Sequence, residues 1–343
     1  MAKILFFQRN DSTYTACLFT TIQRSSTEIV EAIFAGKWVI DNARRGDIAL
    51  LHWPSFLYSV NASMGACLAS FFRFTALLVL LRIKGTRLVW IAHNLMPHDP
   101  SRIRQLDIIG RRLVVRLSER ILVHGQHAAN VLQERFPGAL GKIVLIPHGH
   151  WIDHYKREMS PERARLKLGI PKEAFVYLFI GACKSYKGLD ALVTAFRSCG
   201  TGDFLVIAGK FQDPIYEAQI LSLIGRNGQV IMRSGFIEDD DLQMYLRACN
   251  VVVAPYREIL TSGTAMLAMS FGRPIVSIKA GFLIDVVDET VGLLFDATDP
   301  AGLVDALQDV KNLRFDENAI VDCARKYTFE QAASALLKTM RVS

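Results

Sequence analysis

The sequence predicts an α/β protein made of two parallel-sheet domains, and three observations lead to this prediction. Ten short apolar runs, rich in Val and Ile, alternate with helix-like stretches, and five runs lie in each half of the chain. Continuous apolar runs of this length are typical of strands buried on both faces. The length of 343 residues suits about two domains of roughly 150 residues. The runs are 3–8, 47–52, 87–93, 120–125, 142–149, 175–183, 203–210, 229–236, 250–256 and 273–278.

The composition excludes several classes of protein. With 51% hydrophobic and 21% charged residues, the chain is not a disordered or low-complexity protein. The six cysteines are scattered without a CxxC pair, so a disulfide scaffold or zinc knuckle is not expected and a reducing cytoplasm fits. The first apolar run is too short for a signal peptide.

The charge is divided unequally along the chain. Residues 1–150 hold 18 Lys and Arg against 9 Asp and Glu, a balance of +9, whereas the remainder holds 22 against 24, a balance of −2. A basic half favours an anionic partner such as a membrane surface, a nucleic acid or a phosphorylated substrate. Nucleic acid is the weakest of these, since no recognition motif is present and the basic residues alternate with apolar ones.

The domain boundary is expected where the fifth apolar run gives way to a polar stretch. Ser160 followed by Pro161 predicts a helix start, with Ser at the N-cap and Pro at the first helical position. We therefore expect an N-terminal domain over 1–155, a second domain over 156–328 and a C-terminal helix over 329–343 that can cross back to the first domain.

Two segments of the first half favour contact with a membrane. Residues 63–83 are apolar apart from Arg73, which fits a helix packed across the first sheet, a helix in the membrane interface, or a span. A span is the least favoured, because an arginine at mid-helix costs a few kcal/mol. Residues 100–120 alternate arginines with Ile and Leu, as in a basic amphipathic helix that binds anionic lipid. An ordinary solvated helix face is the alternative for this segment.

Three loops of the second half carry the strongest chemical signals. Lys184 and Lys187 follow a strand and precede a helix, where two ammonium groups and a helix N-terminus suit a diphosphate. Ser262, Gly263 and Thr264 open another helix after a strand, where backbone N–H groups can approach a phosphate; N-capping by Thr261 or Ser262 is the competing interpretation. Phe236 and Ile237 follow a third strand and could pair with and stack on a nucleobase. The acidic residues 239–241 are interpreted as a solvated helix start, and no metal-dependent site is predicted.

Polar residues also follow the strands of the first half. His52, His93, His124 and His148 each stand at the end of an apolar run, where ligands of parallel sheets collect. Trp53 and His98 lie next to this series, and core packing is the alternative role of Trp53. Asp99 with Pro100 can either provide a catalytic carboxylate or begin a helix, with Asp as cap and Pro at the first position.

Together these motifs resemble a known family. The order of the Lys184–Gly188 loop, the Gly235–Ile237 loop and the Ser262–Pro274 segment is similar to the C-terminal domain of glycosyltransferases with the GT-B fold, two Rossmann-like domains facing a cleft. Residues 50–54 and 91–99 resemble motifs of bacterial exopolysaccharide glycosyltransferases, the family of the xanthan GDP-mannose:glycolipid β-mannosyltransferase. The resemblance spans most of the chain.

The resemblance implies a role for each motif. Lys184, Lys187, Ser262, Gly263 and Thr264 would hold the donor diphosphate, while Phe236 and Ile237 would face the base and Glu258 the ribose or sugar. Position after the strands of the first half, rather than the resemblance, makes Asp99, His93 and His98 candidates for the base, with Asp99 expected as the base and His93 as its catalytic partner. His52, Trp53 and His98 are expected to bind the acceptor. Many retaining relatives have a second glutamate eight residues after the first, but here that position is Met266 when counted from Glu258. If the register is set on Gly272–Pro274 instead, the two positions are Ile259 and Leu267, so the second glutamate is absent either way. This departure favours an inverting transfer.

The resulting expectation is a hexosyltransferase that moves a sugar from a nucleotide-sugar, most simply mannose from GDP-mannose, onto a polyprenyl-diphosphate-linked oligosaccharide in exopolysaccharide biosynthesis. No cofactor or metal is expected beyond the nucleotide-sugar co-substrate. The expected location is the cytoplasm, peripherally on the inner face of the plasma membrane. Two alternatives stay open: a retaining transferase that uses a UDP-sugar, and a non-catalytic protein of the same fold that serves as an assembly partner.

Overall fold

The computed structural model describes residues 2–7, 12–58, 63–97 and 100–341. The strands are β1 Ile4–Phe6, β2 Ile29–Glu31, β3 Ile48–Leu51, β4 Arg87–Ile91, β5 Arg120–Val123, β6 Ile143–Leu145, β7 Val176–Ile180, β8 Phe204–Gly209, β9 Val230–Ser234, β10 Val251–Ala254, β11 Ile275–Ile278 and β12 Gly292–Phe295. The helices are α1 Thr13–Gln23, α2 Gly36–Asn42, α3 Met64–Ile83, α4 Arg104–Leu117, α5 Gln126–Arg135, α6 Pro161–Leu168, α7 Leu189–Phe196, α8 Pro214–Ile224, α9 Asp239–Ala248, α10 Gly263–Ser270, α11 Leu283–Val286, α12 Gly302–Asp309, α13 Glu317–Arg325 and α14 Phe329–Arg341.

The chain forms two compact units, each built on one parallel sheet. Unit 1 comprises residues 1–149 and 328–343, and unit 2 comprises residues 150–327. The division thus lies at 149/150 and 327/328, beside the expected boundaries at 155/156 and 328/329. Ser160 caps α6 by accepting a hydrogen bond from the Arg163 N–H at 3.3 Å, with Pro161 at the first position, as the sequence predicts.

Unit 1 has the strand order β2-β1-β3-β4-β5-β6, and every pair is parallel. The order reverses between β1 and β3, and ligands of open parallel sheets bind outside the carboxyl ends of the strands at such a point. Helix α14 packs against α1, and the Arg87 guanidinium donates to the Thr339 carbonyl at 2.8 Å, so the end of the chain is part of this unit.

Unit 2 has the order β12-β11-β10-β7-β8-β9, again parallel throughout, with its reversal between β7 and β10. Val, Ile and Leu side chains from both faces of these strands form two cores, one on each side of the sheet. This burial on both faces explains why the strands appear in the sequence as continuous apolar runs rather than as alternating ones.

Candidate functional site

Four histidines form a row along the carboxyl edge of the unit 1 sheet. His52, His93, His124 and His148 follow β3, β4, β5 and β6, which are neighbours in the sheet. Successive ring centroids are 5.2, 5.4 and 5.0 Å apart, close to the spacing of adjacent strands. The register of a parallel sheet therefore brings together four residues that are almost a hundred positions apart in the sequence.

Tyr14, near the start of α1, lies across this row. Its ring centroid is 4.9 Å from both His93 and His148, 5.4 Å from His124 and 6.0 Å from His52. Phe329 of α14 packs on Tyr14 at 5.7 Å. The Tyr14 hydroxyl and His124 Nε2 are buried without a hydrogen-bond partner among the residues that the structure describes.

Burial keeps the histidine row neutral. It lowers the pKa of His52 to about 3 and that of His148 to about 4. The pKa values of His93 and His124 also fall well below the ordinary range, first through burial and then through the neighbouring imidazoles. Neutral imidazoles both donate and accept hydrogen bonds, which suits contact with hydroxyl groups. No group of His, Cys, Asp and Glu within the described ranges is arranged to hold a metal ion.

His93 is the member of the row that keeps part of its surface exposed. Trp53 stacks on it with ring centroids 4.6 Å apart and an interplanar angle of 19°, and His52 Nδ1 lies 3.2 Å from His93 Nε2. His52 itself is fully buried, so it does not meet a substrate directly. Trp53 is partly exposed, so core packing does not account for all of its surface.

His98 and Asp99 lie outside the described residues, and so their expected roles stay predictions. The competing prediction, that Asp99 and Pro100 begin a helix, is wrong, because α4 begins at Arg104 with Ile103 at its N-cap. In the loop between Pro100 and α4, the Ser101 N–H donates to Asp107 Oδ2 at 2.8 Å, and this hydrogen bond fixes the loop before the helix.

In unit 2, the lysine loop stands directly above the end of β7. A Cβ placed on Gly181, the residue after β7, would lie 3.2 Å from Lys187 Nζ and 4.0 Å from Thr264 Oγ1. The Lys187 ammonium group and the start of α10 therefore converge on one point. This point lies between β7 and β10, the strands on either side of the reversal in strand order. Gly188 closes the loop with a φ of +70°, and a Cβ there would stand 2.0 Å from the Pro255 carbonyl oxygen. Only glycine allows this close approach.

The N-terminus of α10 is capped by Ser262. Its buried hydroxyl accepts a hydrogen bond from the Ala265 N–H at 3.1 Å and lies 2.9 Å from the Tyr256 hydroxyl. The Ser262 side chain is therefore occupied by capping, the competing interpretation that the sequence left open. The first backbone N–H groups of a helix have no partner within the helix, so those of Gly263 and Thr264 remain the groups suited to a phosphate.

Arg257 fixes the loop after β10 against the lysine loop. Its guanidinium donates to the Ser185 carbonyl at 2.7 Å and to Asp190 Oδ2 at 2.5 Å. Its backbone N–H also donates to the Tyr186 carbonyl at 2.8 Å. These three contacts hold the two loops at a fixed spacing, and the next residue, Glu258, is exposed beside them.

The third loop, after β9, presents an aromatic side chain to solvent. Phe236 is 71% exposed. Ile237 instead packs partly buried against the core on one face of the sheet, so part of its side chain is covered. Lys184, Gly263 and Thr264 are all partly exposed, as access to a ligand requires.

Sequence reasoning missed Tyr14, Phe329 and Arg257. Tyr14 had one available signal, since it follows the first strand at the start of a helix, where ligands of such sheets collect. Phe329 gave none, because only the return of α14 to unit 1 brings it to the row. Arg257 lies in the loop after β10, and Glu258 is the residue of this loop that the sequence indicated before Ser262.

Comparison with known proteins agrees with this geometry. Residues 174–312 match the family described as Glycosyl transferases group 1. The GDP-mannose:glycolipid 4-beta-D-mannosyltransferase of Xanthomonas campestris is 26% identical over 239 residues, which cover 68% of this chain and 61% of that protein. The chain therefore spans less than two thirds of that relative's length.

Solved structures show the same fold over nearly the whole chain. The Anabaena protein HepE, in complex with UDP-glucose, has a TM-score of 0.70 at 17% identity and covers 99% of this chain and 100% of its own. Sucrose-phosphate synthase from Thermosynechococcus elongatus has a TM-score of 0.68 at 17% identity, covering 98% and 80%. Residues 174–312 therefore match the glycosyl transferases group 1 family, within a chain that has the GT-B fold.

Proposed function

We propose that the protein is a glycosyltransferase that moves mannose from GDP-mannose, with inversion, onto a polyprenyl-diphosphate-linked oligosaccharide. One observation carries the proposal: the Lys187 ammonium group and the N-terminal end of α10 converge above Gly181. A cation and a helix N-terminus at one point suit the diphosphate of a nucleotide-sugar.

The leaving nucleoside diphosphate gains negative charge as the glycosidic bond breaks. Lys187 and the N–H groups of Gly263 and Thr264 are arranged to stabilise that charge, and Lys184 lies on the same loop. Fixed donors of this kind are among the largest contributions to catalysis. Exposed Phe236 and Glu258 are available for the base and for the ribose or sugar.

Inversion is supported by the residue that replaces the second glutamate of retaining relatives. Met266 occupies that position, and its side chain is completely buried in α10. With no second carboxylate there, a single displacement assisted by a base on the acceptor side is the simpler mechanism. Our candidate base is Asp99, with His93 orienting the acceptor or the leaving phosphate.

Mannose and a lipid-linked acceptor are suggested by the Xanthomonas campestris relative, whose name gives GDP-mannose as donor and a glycolipid as acceptor. The basic balance of residues 1–150 suits an acceptor that carries a diphosphate. In unit 1, the neutral and partly exposed His93 provides a group that can hydrogen-bond a sugar hydroxyl.

A thermal-shift panel of GDP-mannose, GDP-glucose, UDP-glucose and dTDP-glucose tests the donor. A ligand that binds only the native state at a hundred times its Kd stabilises it by about 2.7 kcal/mol, so only the GDP-sugars should raise Tm. Lys187→Ala should lose the shift, and Lys167→Ala, which removes an exposed lysine of α6, should keep it. A rise in Tm with UDP-glucose alone would show that the donor is a UDP-sugar and not GDP-mannose. No rise in Tm with any nucleotide-sugar would favour the non-catalytic alternative. In a separate transfer assay, a β-linked mannosyl product on the acceptor would support inversion.

A further inference from the structure

Helix α3 carries a row of exposed apolar side chains along its whole length. Met64, Leu68, Phe72, Val79 and Ile83 are between 41% and 76% exposed. Their spacings of four or seven residues place them on one face of the helix, and exposed Ala76 continues the row. Twenty residues at 1.5 Å each make this row about 30 Å long.

The opposite face of α3 belongs to the core of unit 1. Cys67, Phe71, Phe74, Leu78 and Leu81 are buried. Within the described residues, α3 is the one helix long and apolar enough to cross a membrane, and 39% of its most apolar window is buried inside the protein. A helix with one face held in a folded unit cannot also be surrounded by lipid. The structure therefore leaves α3 able to lie along a membrane surface, but not to span it while unit 1 is folded.

The exposed face of the neighbouring helix α4 is basic. A Cβ on Gly110 of α4 would stand 3.1 Å from the Phe71 ring, so the two helices pack closely. Arg104, Arg112 and Arg116 are exposed on α4, together with Ile109. Arg73 and Arg82 are exposed on α3 as well.

Neither helix presents an acidic side chain to solvent. Helix α3 contains no Asp or Glu, and the single acid of α4, Asp107, is buried. This absence selects among possible occupants, because a second copy of the same face would bring arginine against arginine. A surface of opposite charge with an apolar interior satisfies both the arginines and the apolar row.

We propose that the exposed faces of α3 and α4 bind the surface of an anionic phospholipid bilayer, with α3 lying in the interface. The Met64–Ile83 row enters the boundary between headgroups and acyl chains, and the arginines stay among the phosphates. Phe56 adds to the apolar area, since it is 69% exposed in a helical turn that packs on α4. This surface would bring unit 1 to the membrane that holds a lipid-linked acceptor, but it binds lipid whether or not the proposed transfer occurs.

Flotation of the full chain with vesicles tests the proposal. We expect binding to phosphatidylcholine vesicles that contain 30% phosphatidylglycerol, little binding to pure phosphatidylcholine, and release at 1 M salt, where the Debye length is about 3 Å. Arg112→Gln with Arg116→Gln should weaken binding about 25-fold, since each arginine near an anionic surface contributes roughly fivefold. Leu68→Gln with Phe72→Gln should weaken binding more than about tenfold.

Matched controls lie on unit 2. Leu166→Gln with Ile215→Gln removes two exposed apolar side chains of unit 2. Arg226→Gln with Arg314→Gln removes two exposed arginines of the same unit. Both controls should bind as the unmodified chain does, and circular dichroism should show all variants folded.

Three results would overturn the proposal. These are equal binding to neutral and anionic vesicles, unchanged binding of the Leu68/Phe72 variant, and a stable dimer in light scattering that this variant abolishes. The donor-induced rise in Tm is measured on the same preparations. A failure of vesicle binding is then distinguishable from a failure of the proposed transfer.

Discussion

Lys187 is the residue whose charge the proposed reaction uses most directly. Lys187→Ala removes the ammonium group above Gly181, so the donor KM should rise and kcat should fall. Removal of one charge-assisted hydrogen bond should cost about 1.5–3 kcal/mol in kcat/KM. Steady-state kinetics of released nucleotide measure both constants. Unchanged kinetics would remove Lys187 from the donor site, and Lys167→Ala is the control for the removal of a surface charge.

A second pair of substitutions distinguishes the role of Asp99 from that of His93. Asp99→Asn should lower kcat by about 10²–10⁴-fold while donor affinity stays nearly constant, because a general base acts in the chemical step. Since α4 begins at Arg104, loss of a helix cap no longer competes as an explanation. A fully active Asp99→Asn variant beside an inactive His93→Ala variant would transfer the role of base to the histidine.

Single residues were predictable where a local pattern revealed them. Lys184 and Lys187 lie in the loop that follows β7, and the Ser262–Thr264 segment opens the helix that follows β10. The burial of His52 and the partial burial of the Ile237 side chain could not be predicted, because both depend on packing against residues distant in sequence. Tyr14 and Phe329 meet only through the pairing of the first helix with the last.

At the level of helices, Ser262 separates capping from ligand binding. Ser262→Ala should lower the free energy of unfolding by about 1 kcal/mol, through loss of the cap on α10, and should change donor affinity little, because backbone N–H groups face the ligand. Urea denaturation and the donor thermal shift measure the two effects. Ser160→Ala removes the corresponding cap of α6, away from the donor loops, and should match the stability loss alone. A more than tenfold loss of donor affinity in Ser262→Ala would instead assign a ligand contact to its hydroxyl.

Ten of the twelve strands agree with the apolar runs, and the two that were missed share a position. Strands β2 and β12 each form one edge of their sheet, with three and four residues and mostly half-buried or exposed side chains. An edge strand has a neighbouring strand on one side only, and for this reason it needs fewer apolar residues. The patterning of β2 and β12 is therefore too weak to reveal them, whereas the other two edge strands, β6 and β9, lie within apolar runs.

For the whole molecule, the histidine row makes stability depend on pH. Histidines whose pKa is lowered by folding bind fewer protons in the folded state than in the unfolded chain. Their contribution to stability is complete above about pH 6.5 and is lost as the pH falls toward the folded pKa values, about 4 for His148 and about 3 for His52. Each should cost roughly 1.4 kcal/mol per pH unit within this window.

Urea unfolding followed by tryptophan fluorescence between pH 7 and pH 4 tests this dependence. Trp38, Trp53 and Trp90 report on unit 1, and Trp151 is the one tryptophan of unit 2. His148→Gln should reduce the slope by about one proton. A slope that is flat from pH 6.5 to pH 4 would contradict the burial of neutral imidazoles.

The return of α14 to unit 1 has a consequence for biosynthesis. Unit 2 is continuous in the sequence, whereas unit 1 needs residues on both sides of it. Domains usually fold in the order in which they leave the ribosome, but here the second can be complete while the first still lacks Phe329 against Tyr14 and Gly149. A nascent chain stalled at Tyr327 should therefore protect unit 2 from proteolysis and leave unit 1 susceptible, so unit 1 would gain its final form last.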